Sequence, residues 1–216
     1  EMLHTATLLH DDVADDSPVR RGSPTVRSLY GPNASVLVGD FWLSRAIETI
    51  VGYCDERVVA IFAHSIQMLA EGEMIQLEKA ASLDTTEDDY IRIIYNKTAA
   101  LFETAILSAA YSVNAKDSEI ESLQKYAYHV GLAFQIMDDY LDTFGDARIF
   151  GKPIGGDIAN NKKTWLLVET LRRSVSEAQK DNLERILSLG EDAAEEKFAE
   201  MSKLYEDLGV KDDASK

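Results

Sequence analysis

Apolar side chains recur at helical spacing along nearly the whole chain, and strand signals are almost absent. That pattern restricts the chain to helices packed on helices, so the fold class it predicts is all-α, a bundle of long helices. The clearest case is the series Ile120, Leu123, Ala127, Val130, Phe134, Met137 and Leu141, which falls on one face over about seven turns. Ser118-x-x-Glu121 ahead of it reads as a capping box, and so does Thr85-x-x-Asp88 ahead of a helix running to about Val113. The second half of that helix, 99–110, is apolar nearly all round and is expected at the centre of a bundle. Other helices are predicted over 1–16, 34–52, 55–81, 163–173, 176–188 and 192–208, with those at 34–52 and 55–81 mostly buried. Ser17-Pro18, Arg20-Arg21-Gly22 and Gly31-Pro32 mark one irregular loop, and Gly151-Lys152-Pro153 with Gly155-Gly156-Asp157 marks a second.

The 216 residues suffice for one compact domain, and no linker or low-complexity block divides them, so a single domain over 1–216 is expected. With 22 Lys and Arg against 38 Asp and Glu, the formal net charge is −16. Nucleic acid and anionic lipid are therefore excluded as main partners, because both require a basic face. The single cysteine, Cys54, cannot form an internal disulfide; it reads as a small core residue in a reducing, cytoplasmic compartment. No run approaches the roughly 20 uninterrupted apolar residues of a membrane helix, so no integral membrane segment is expected. The opening residues lack an initiating Met and a basic signal start and already read as helix interior. The expectation is a stretch trimmed at both ends from a longer protein.

One motif occurs twice. Asp-Asp-x-x-Asp stands at Asp11, Asp12 and Asp15 and again at Asp138, Asp139 and Asp142, each time near the C-terminal end of an apolar helix. Residues four apart share a helix face, so Asp11 with Asp15, and Asp138 with Asp142, present two carboxylates one turn apart. Such pairs repel each other at the negative end of a helix dipole unless cations intervene. Magnesium suits them: it takes one or two carboxylates and keeps positions for water and phosphate oxygens. A basic Gly/Pro loop follows each copy, with Arg20 and Arg21 able to fork onto phosphate oxygens and Lys152 and Lys162 acting as point charges.

These residues resemble the trans-polyprenyl diphosphate synthase family, from about His4 to Trp165. The matching pieces stand in order: Leu8 to Asp15, Arg20-Arg21-Gly22, Gly39-Asp40, Gly72-Glu73 with Gln76, Lys97-Thr98, Phe134-Gln135, Asp138 to Asp142, Gly151-Lys152-Pro153 and Asn161-Lys162. The resemblance implies a bundle of antiparallel helices around a central cavity, usually a homodimer, that joins an allylic prenyl diphosphate to isopentenyl diphosphate head to tail. It implies that Asp11, Asp15 and Asp138 bind magnesium, three ions in all, with Asp12, Asp139 and Asp142 in support. It further implies that Arg20, Lys97, Thr98, Gln135, Lys152 and Lys162 hold the allylic diphosphate and that Arg21 contacts isopentenyl diphosphate. The ions and cations would stabilise departing pyrophosphate, and the double bond of the second substrate would attack the resulting carbocation. Ala6 and Thr7, one turn and more before Asp11, are small where short-chain members carry aromatics, so the resemblance points to a long-chain synthase, octaprenyl at the centre of a hexaprenyl-to-decaprenyl range.

The family's Gly-Lys-x-x-Arg-Pro segment is missing from this stretch, and Gly156 stands where many relatives carry Asp, which leaves Asp157 a weak supporting role. Other readings compete. A short-chain synthase or a non-catalytic partner subunit of a heteromeric synthase would share the fold, although such subunits tend to lose aspartates. Terpene cyclases and head-to-head synthases fit the second cluster or the Arg20-Arg21-Gly22 arrangement poorly. A di-iron bundle requires paired Glu-x-x-His motifs, of which only Glu1-x-x-His4 occurs. His10, His64 and His129 lack ligand spacing and read as satisfied or surface residues.

Overall fold

The helical periodicity is realised throughout the computed structural model, which describes residues 1–80, 82–146 and 154–215. In chain order the elements are α1 (Met2–Ala14), β1 (Val19–Arg20), β2 (Ser23–Pro24), α2 (Val26–Tyr30), α3 (Pro32–Tyr53), α4 (Glu56–Ala80) and α5 (Glu87–Ile94). A π-helical turn (Tyr95–Ala99) then leads into α6 (Ala100–Ser112) and α7 (Asp117–Phe144). After them come α8 (Gly156–Ala159), α9 (Trp165–Arg173), α10 (Glu177–Leu187), a 3-10 turn (Glu191–Ala193), α11 (Ala194–Asp207) and α12 (Val210–Ala214). Among the described residues the only strands are the two-residue pair β1 and β2, so the class is all-α. The chain divides into two compact units, Glu1–His64 with Leu107–Ile120 and Ser65–Ile106 with Glu121–Lys216.

In the first unit α1 lies on α3. A strip of small residues permits the approach: Ser35, Gly39 and Ala46 are the buried residues of α3, and the Ser35 hydroxyl donates to the Leu9 carbonyl at 2.8 Å. Pro32 opens α3 at a position where its missing N–H costs nothing, after Gly31 at φ +87°. The expectation that this helix is mostly buried fails, because only the small strip is buried while Leu37, Phe41, Trp42, Ile47 and Val51 are exposed. The same correction applies to α4, whose buried positions are Val58, Ser65 and Gly72. Cys54 caps the end of α3 and is exposed, not a core residue. By length and mean hydropathy α4 could cross a membrane, although polar residues interrupt its apolar run. Its Glu71 and Glu73, however, are ion-paired with Arg92 and Lys97.

The second unit has two apolar clusters. Leu166, Leu167, Leu183, Ile186, Met201, Tyr205 and Val210 join α9, α10, α11 and α12, and Tyr90, Ile94, Ala99, Leu132 and Val168 join α5, the π turn, α7 and α9. Both capping predictions need correction in register. At α5 the box is Thr86 with Asp89, each side chain bonded to the other residue's backbone N–H, one residue beyond the predicted pair. At α7 the helix begins at Asp117, so Ser118 lies inside its first turn, and Glu119 accepts the Lys116 N–H at 2.8 Å. The 99–110 stretch buries Ala99, Ala100, Thr104, Leu107 and Ala110 but exposes Ala105 and Ala109, so it presents one covered face instead of being enclosed all round.

Candidate active site

The first aspartate cluster closes α1. Asp15 lies just past the last helical residue, yet its N–H still bonds the Asp11 carbonyl at 2.8 Å, which preserves the one-turn spacing of the two carboxylates. Asp12 points elsewhere, about 100° round the helix, and is buried at 4% exposure. A buried carboxylate needs a partner, and Arg20 supplies it, with Nε 2.6 Å from Asp12 Oδ1. What the sequence marks as an irregular loop is here a hairpin: Val19 pairs with Pro24 and Arg20 with Ser23, with Arg21-Gly22 at the turn. Both turn residues have positive φ, +51° and +76°, the backbone of a type I′ turn, and the Arg21 side chain is exposed. His10 is no bystander either. Its Nε2 lies 3.2 Å from Asp40 Oδ1, and a Cβ at Gly39 would fall 2.5 Å from the same nitrogen, so Gly39 is small because the His10 ring rests on it.

The second cluster sits in the last two turns of α7 and is more heavily supported. Asp139, 1% exposed, accepts the Tyr90 hydroxyl at 2.8 Å and the Trp165 N–H at 3.0 Å on Oδ2, and the Gln135 amide at 3.0 Å on Oδ1. The Trp165 N–H belongs to the first turn of α9, whose positive dipole end favours a carboxylate. Lys162 Nζ lies 3.9 Å from Asp139 and donates to both oxygens of Asp157 at 3.1 and 3.3 Å. Burial raises the Asp139 pKa above the ordinary carboxylate value, opposed by the Lys162 charge and by the three donors. Burial alone would lower Lys162, but the carboxylates of Asp157 and Asp139 outweigh it and push the amine above its usual value. Asp142, also buried, accepts the Asp157 N–H at 2.9 Å, and its carbonyl accepts the Gly155 N–H at 2.6 Å.

Thr98 and Lys97 stand on the π turn. The Thr98 hydroxyl donates to Gln135 Oε1 at 2.9 Å, and Lys97 donates to Gln76 at 3.0 Å and pairs with Glu73. Two glycines seat this turn. A Cβ on Gly72 of α4 would lie 2.8 Å from Asn96 Cβ and from Lys97 Cγ, and a Cβ on Gly131 of α7 would lie 2.5 Å from Ala99 Cα. Single π turns inside α-helices recur at functional sites, where the extra residue re-aims side chains. Here the local unwinding shifts Lys97 and Thr98 out of the α-helical register that α5 would otherwise impose.

The polyprenyl synthetase family profile matches residues 1–207. The chain is a polyprenyl synthetase family member. It is 38% identical over 214 residues to a short chain isoprenyl diphosphate synthase of Methanothermobacter thermautotrophicus, covering 97% of this chain and 65% of that one. It is 40% identical over 177 residues to the octaprenyl diphosphate synthase of Escherichia coli, covering 82% of this chain and 55% of that one. Among solved structures, a polyprenyl synthase from Caulobacter crescentus, complexed with calcium and isoprenyl diphosphate, superimposes with a TM-score of 0.88 at 35% identity, covering 99% of this chain and 64% of that one. The fold is thus the all-α isoprenoid synthase fold. The chain spans about 55 to 65% of the length of these curated relatives.

Within this polyprenyl synthetase chain, Asp11, Asp12 and Arg20 are gathered in one unit, and Thr98, Gln135, Asp139 and Lys162 are joined by hydrogen bonds and charge in the other. Lys152 lies outside the described residues. Ala6 is buried, and Thr7 is half-buried with its hydroxyl on the His4 carbonyl at 2.9 Å. The sequence reading missed Tyr90, the Trp165 N–H and Gly131, and it undervalued Asp157, which bridges Lys162 and Asp142. Among the described residues no three His, Cys, Asp or Glu side chains converge on a metal-sized point. The two carboxylates of Asp11 and Asp15, one turn apart, suit magnesium, which takes one or two carboxylates and completes its shell with water and phosphate oxygens.

Proposed function

We propose that this chain carries the catalytic core of a head-to-tail prenyltransferase that condenses isopentenyl diphosphate with an allylic prenyl diphosphate, with 1–216 acting as one catalytic domain. The observation that carries the reading is the repeated Asp-Asp-x-x-Asp motif. In both copies the second aspartate is turned inward and satisfied by protein groups, Asp12 by Arg20 and Asp139 by Tyr90, Gln135 and Trp165. By the family resemblance Asp11 and Asp15 on one motif and Asp138 on the other bind magnesium, three ions in all. Bound magnesium would supply charge neutralisation for the diphosphate leaving group.

The protein's own groups do the rest. Thr98, Gln135, Lys97, Lys152, Lys162 and Arg20 hold the diphosphate of the allylic substrate, and Arg21, exposed on its turn, contacts that of isopentenyl diphosphate. The allylic carbon–oxygen bond breaks and its electron pair leaves with pyrophosphate. The double bond of isopentenyl diphosphate, held close, donates its electrons to the carbocation, and the proton then lost passes to pyrophosphate. Small side chains at Ala6 and Thr7 favour a long-chain product, and relatives of both short-chain and octaprenyl type make length the finer part of the proposal. The reading includes a cytoplasmic homodimer, as in the family resemblance, without a membrane span; against a span in α4 stand the ion pairs of Glu71 and Glu73 with Arg92 and Lys97.

The test is to incubate the natural full-length protein with isopentenyl diphosphate, farnesyl diphosphate and magnesium, with and without chelator, and to size the dephosphorylated products by mass. Chelator-sensitive products beyond geranylgeranyl are expected. Products ending at geranylgeranyl would remove the long-chain assignment, and no elongation by a folded protein would favour the partner-subunit reading.

A further inference from the structure

We propose that Tyr90 is a positioning residue for diphosphate binding: its hydroxyl fixes the Asp139 carboxylate, which fixes the Gln135 amide, which in turn orients the Thr98 hydroxyl. The inference rests on the prenyltransferase reading of the same site. Tyr90 lies on α5, 49 residues from Asp139, and its ring is 1% exposed among Ile94, Ala99, Leu132 and Val168. The hydroxyl is its one polar atom, and the 2.8 Å bond to Asp139 Oδ2 is where that atom is satisfied.

The chain of orientation follows from donor and acceptor chemistry. Gln135 presents its NH2 to Asp139 Oδ1 at 3.0 Å and therefore its carbonyl oxygen to the other side. There it accepts from Thr98 Oγ1 at 2.9 Å, which sends the Thr98 proton toward Gln135 and leaves its lone pairs facing away. Tyr90 and the Trp165 N–H share Oδ2 and together hold the carboxylate plane so that Oδ1 stays on Gln135. Without the phenol, one donor remains on that oxygen, the carboxylate can swing about its Cβ–Cγ bond, and the Gln135 amide is free to flip. Thr98 and Gln135 are the two uncharged side chains among the diphosphate contacts. Their geometry, unlike that of a lysine, depends on orientation and not on charge alone.

The experiment uses the natural full-length protein and titrates inorganic pyrophosphate with magnesium by calorimetry, so that binding is read without turnover. Tyr90→Phe keeps the ring and is expected to weaken binding roughly tenfold, the scale of one hydrogen bond to a charged group. In a Thr98→Val background the same substitution is expected to cost clearly less, because only the part of its effect that runs through Gln135 remains. A purely structural role would give the same loss in both backgrounds, and that additivity would overturn the inference, as would unchanged affinity for Tyr90→Phe alone. Asp139→Asn covers the case in which Tyr90→Phe does not fold. It presents an NH2 to Gln135 and forces the flip, so a loss that is again smaller with Thr98→Val supports the chain of orientation, and wild-type affinity overturns it. Elongation by the wild type tests the enzyme reading separately, since a protein that binds pyrophosphate and elongates nothing still reports on Tyr90. Absence of binding by the wild type would remove both.

Discussion

Gly131→Ala is the substitution that most sharply tests how α7 carries its aspartates. The new methyl would lie 2.5 Å from Ala99 Cα and 2.6 Å from Ala99 Cβ, where about 3.5 Å is the nearest comfortable carbon contact. Neither side can rotate away, because an alanine methyl has no rotamer and the atoms it meets are backbone and Cβ. Relief therefore requires α7 and the π turn to separate by about 1 Å, and a gap of that size forfeits a quarter to a half of each contact along the seam. Overpacking in a tight core costs about 1–3 kcal/mol, and the absence of any flexible atom puts this site at the upper end. Alanine recovers about 1 kcal/mol of helix propensity over glycine. The net loss is then about 2 kcal/mol, which lowers Tm by roughly 4–8 °C in a domain of this size. Because the π turn carries Lys97 and Thr98, weaker binding of magnesium pyrophosphate should accompany the loss. Circular dichroism melts and urea unfolding measure the first effect and calorimetry the second. A variant as stable as the wild type or more so, with the propensity gain expressed in full, would refute the close approach of α7 to Ala99.

Other substitutions address separate steps of the argument. Asp11→Ala and Asp138→Ala should each lower magnesium-dependent elongation by at least about a hundredfold while the helical circular dichroism signal stays unchanged, since several kcal/mol of leaving-group stabilisation is at stake; full activity in either variant would sink the assignment of metal ligands. Thr86→Ala should lose about 1 kcal/mol in urea unfolding through the cap of α5, whereas Thr85→Ala leaves that box intact, so the reverse order would contradict the observed register. Hydrogen bonds from Arg172 and Arg173 hold the Glu169 carboxyl below its ordinary pKa, so its stabilisation is full above about pH 4.5 and fades as pH falls through the lower folded value. The stability gap between wild type and Glu169→Gln should therefore close on acidification below that pH, and a constant gap would show that charge has no part in it.

The helices were legible because periodicity is a local signal repeated many times, as in the apolar face of α7. Cap positions were less so: Thr85 and Thr86 are adjacent, as are Asp88 and Asp89, and only the backbone φ and ψ decide which pair closes the box. Burial of α3 and α4 was overestimated because an apolar side chain states a preference without naming a partner, and in α3 it is the small residues that make the contact. The Arg20-Arg21-Gly22 turn was visible as a break, but two-residue strands carry no alternation from which a hairpin could be read. Spacing within the Asp-Asp-x-x-Asp motifs gave the paired carboxylates directly. The partner of Asp139 was beyond reach, since nothing in the sequence around Tyr90 distinguishes it from any other aromatic on the buried face of an amphipathic helix.

The two motifs read alike in sequence, yet their second aspartates are satisfied in different ways. The helical angle between adjacent residues dictates the need: if the first and last aspartates face one side, the second faces about 100° away, toward protein. A carboxylate so placed must be neutralised or hydrogen-bonded by the fold itself. For Asp12 the solution is a guanidinium delivered by a hairpin, and for Asp139 it is a phenol, an amide, a helix N-terminus and a nearby lysine. Removal of charge should therefore have unequal consequences. Asp12→Asn leaves Arg20 without a counter-ion but with an exposed route to water, since a third of its side chain is accessible. Asp139→Asn, in contrast, reverses the polarity of a hydrogen-bond chain whose Asp139 and Tyr90 members are both 1% exposed. The repeat is one of spacing, and each copy is supported by different elements of the fold.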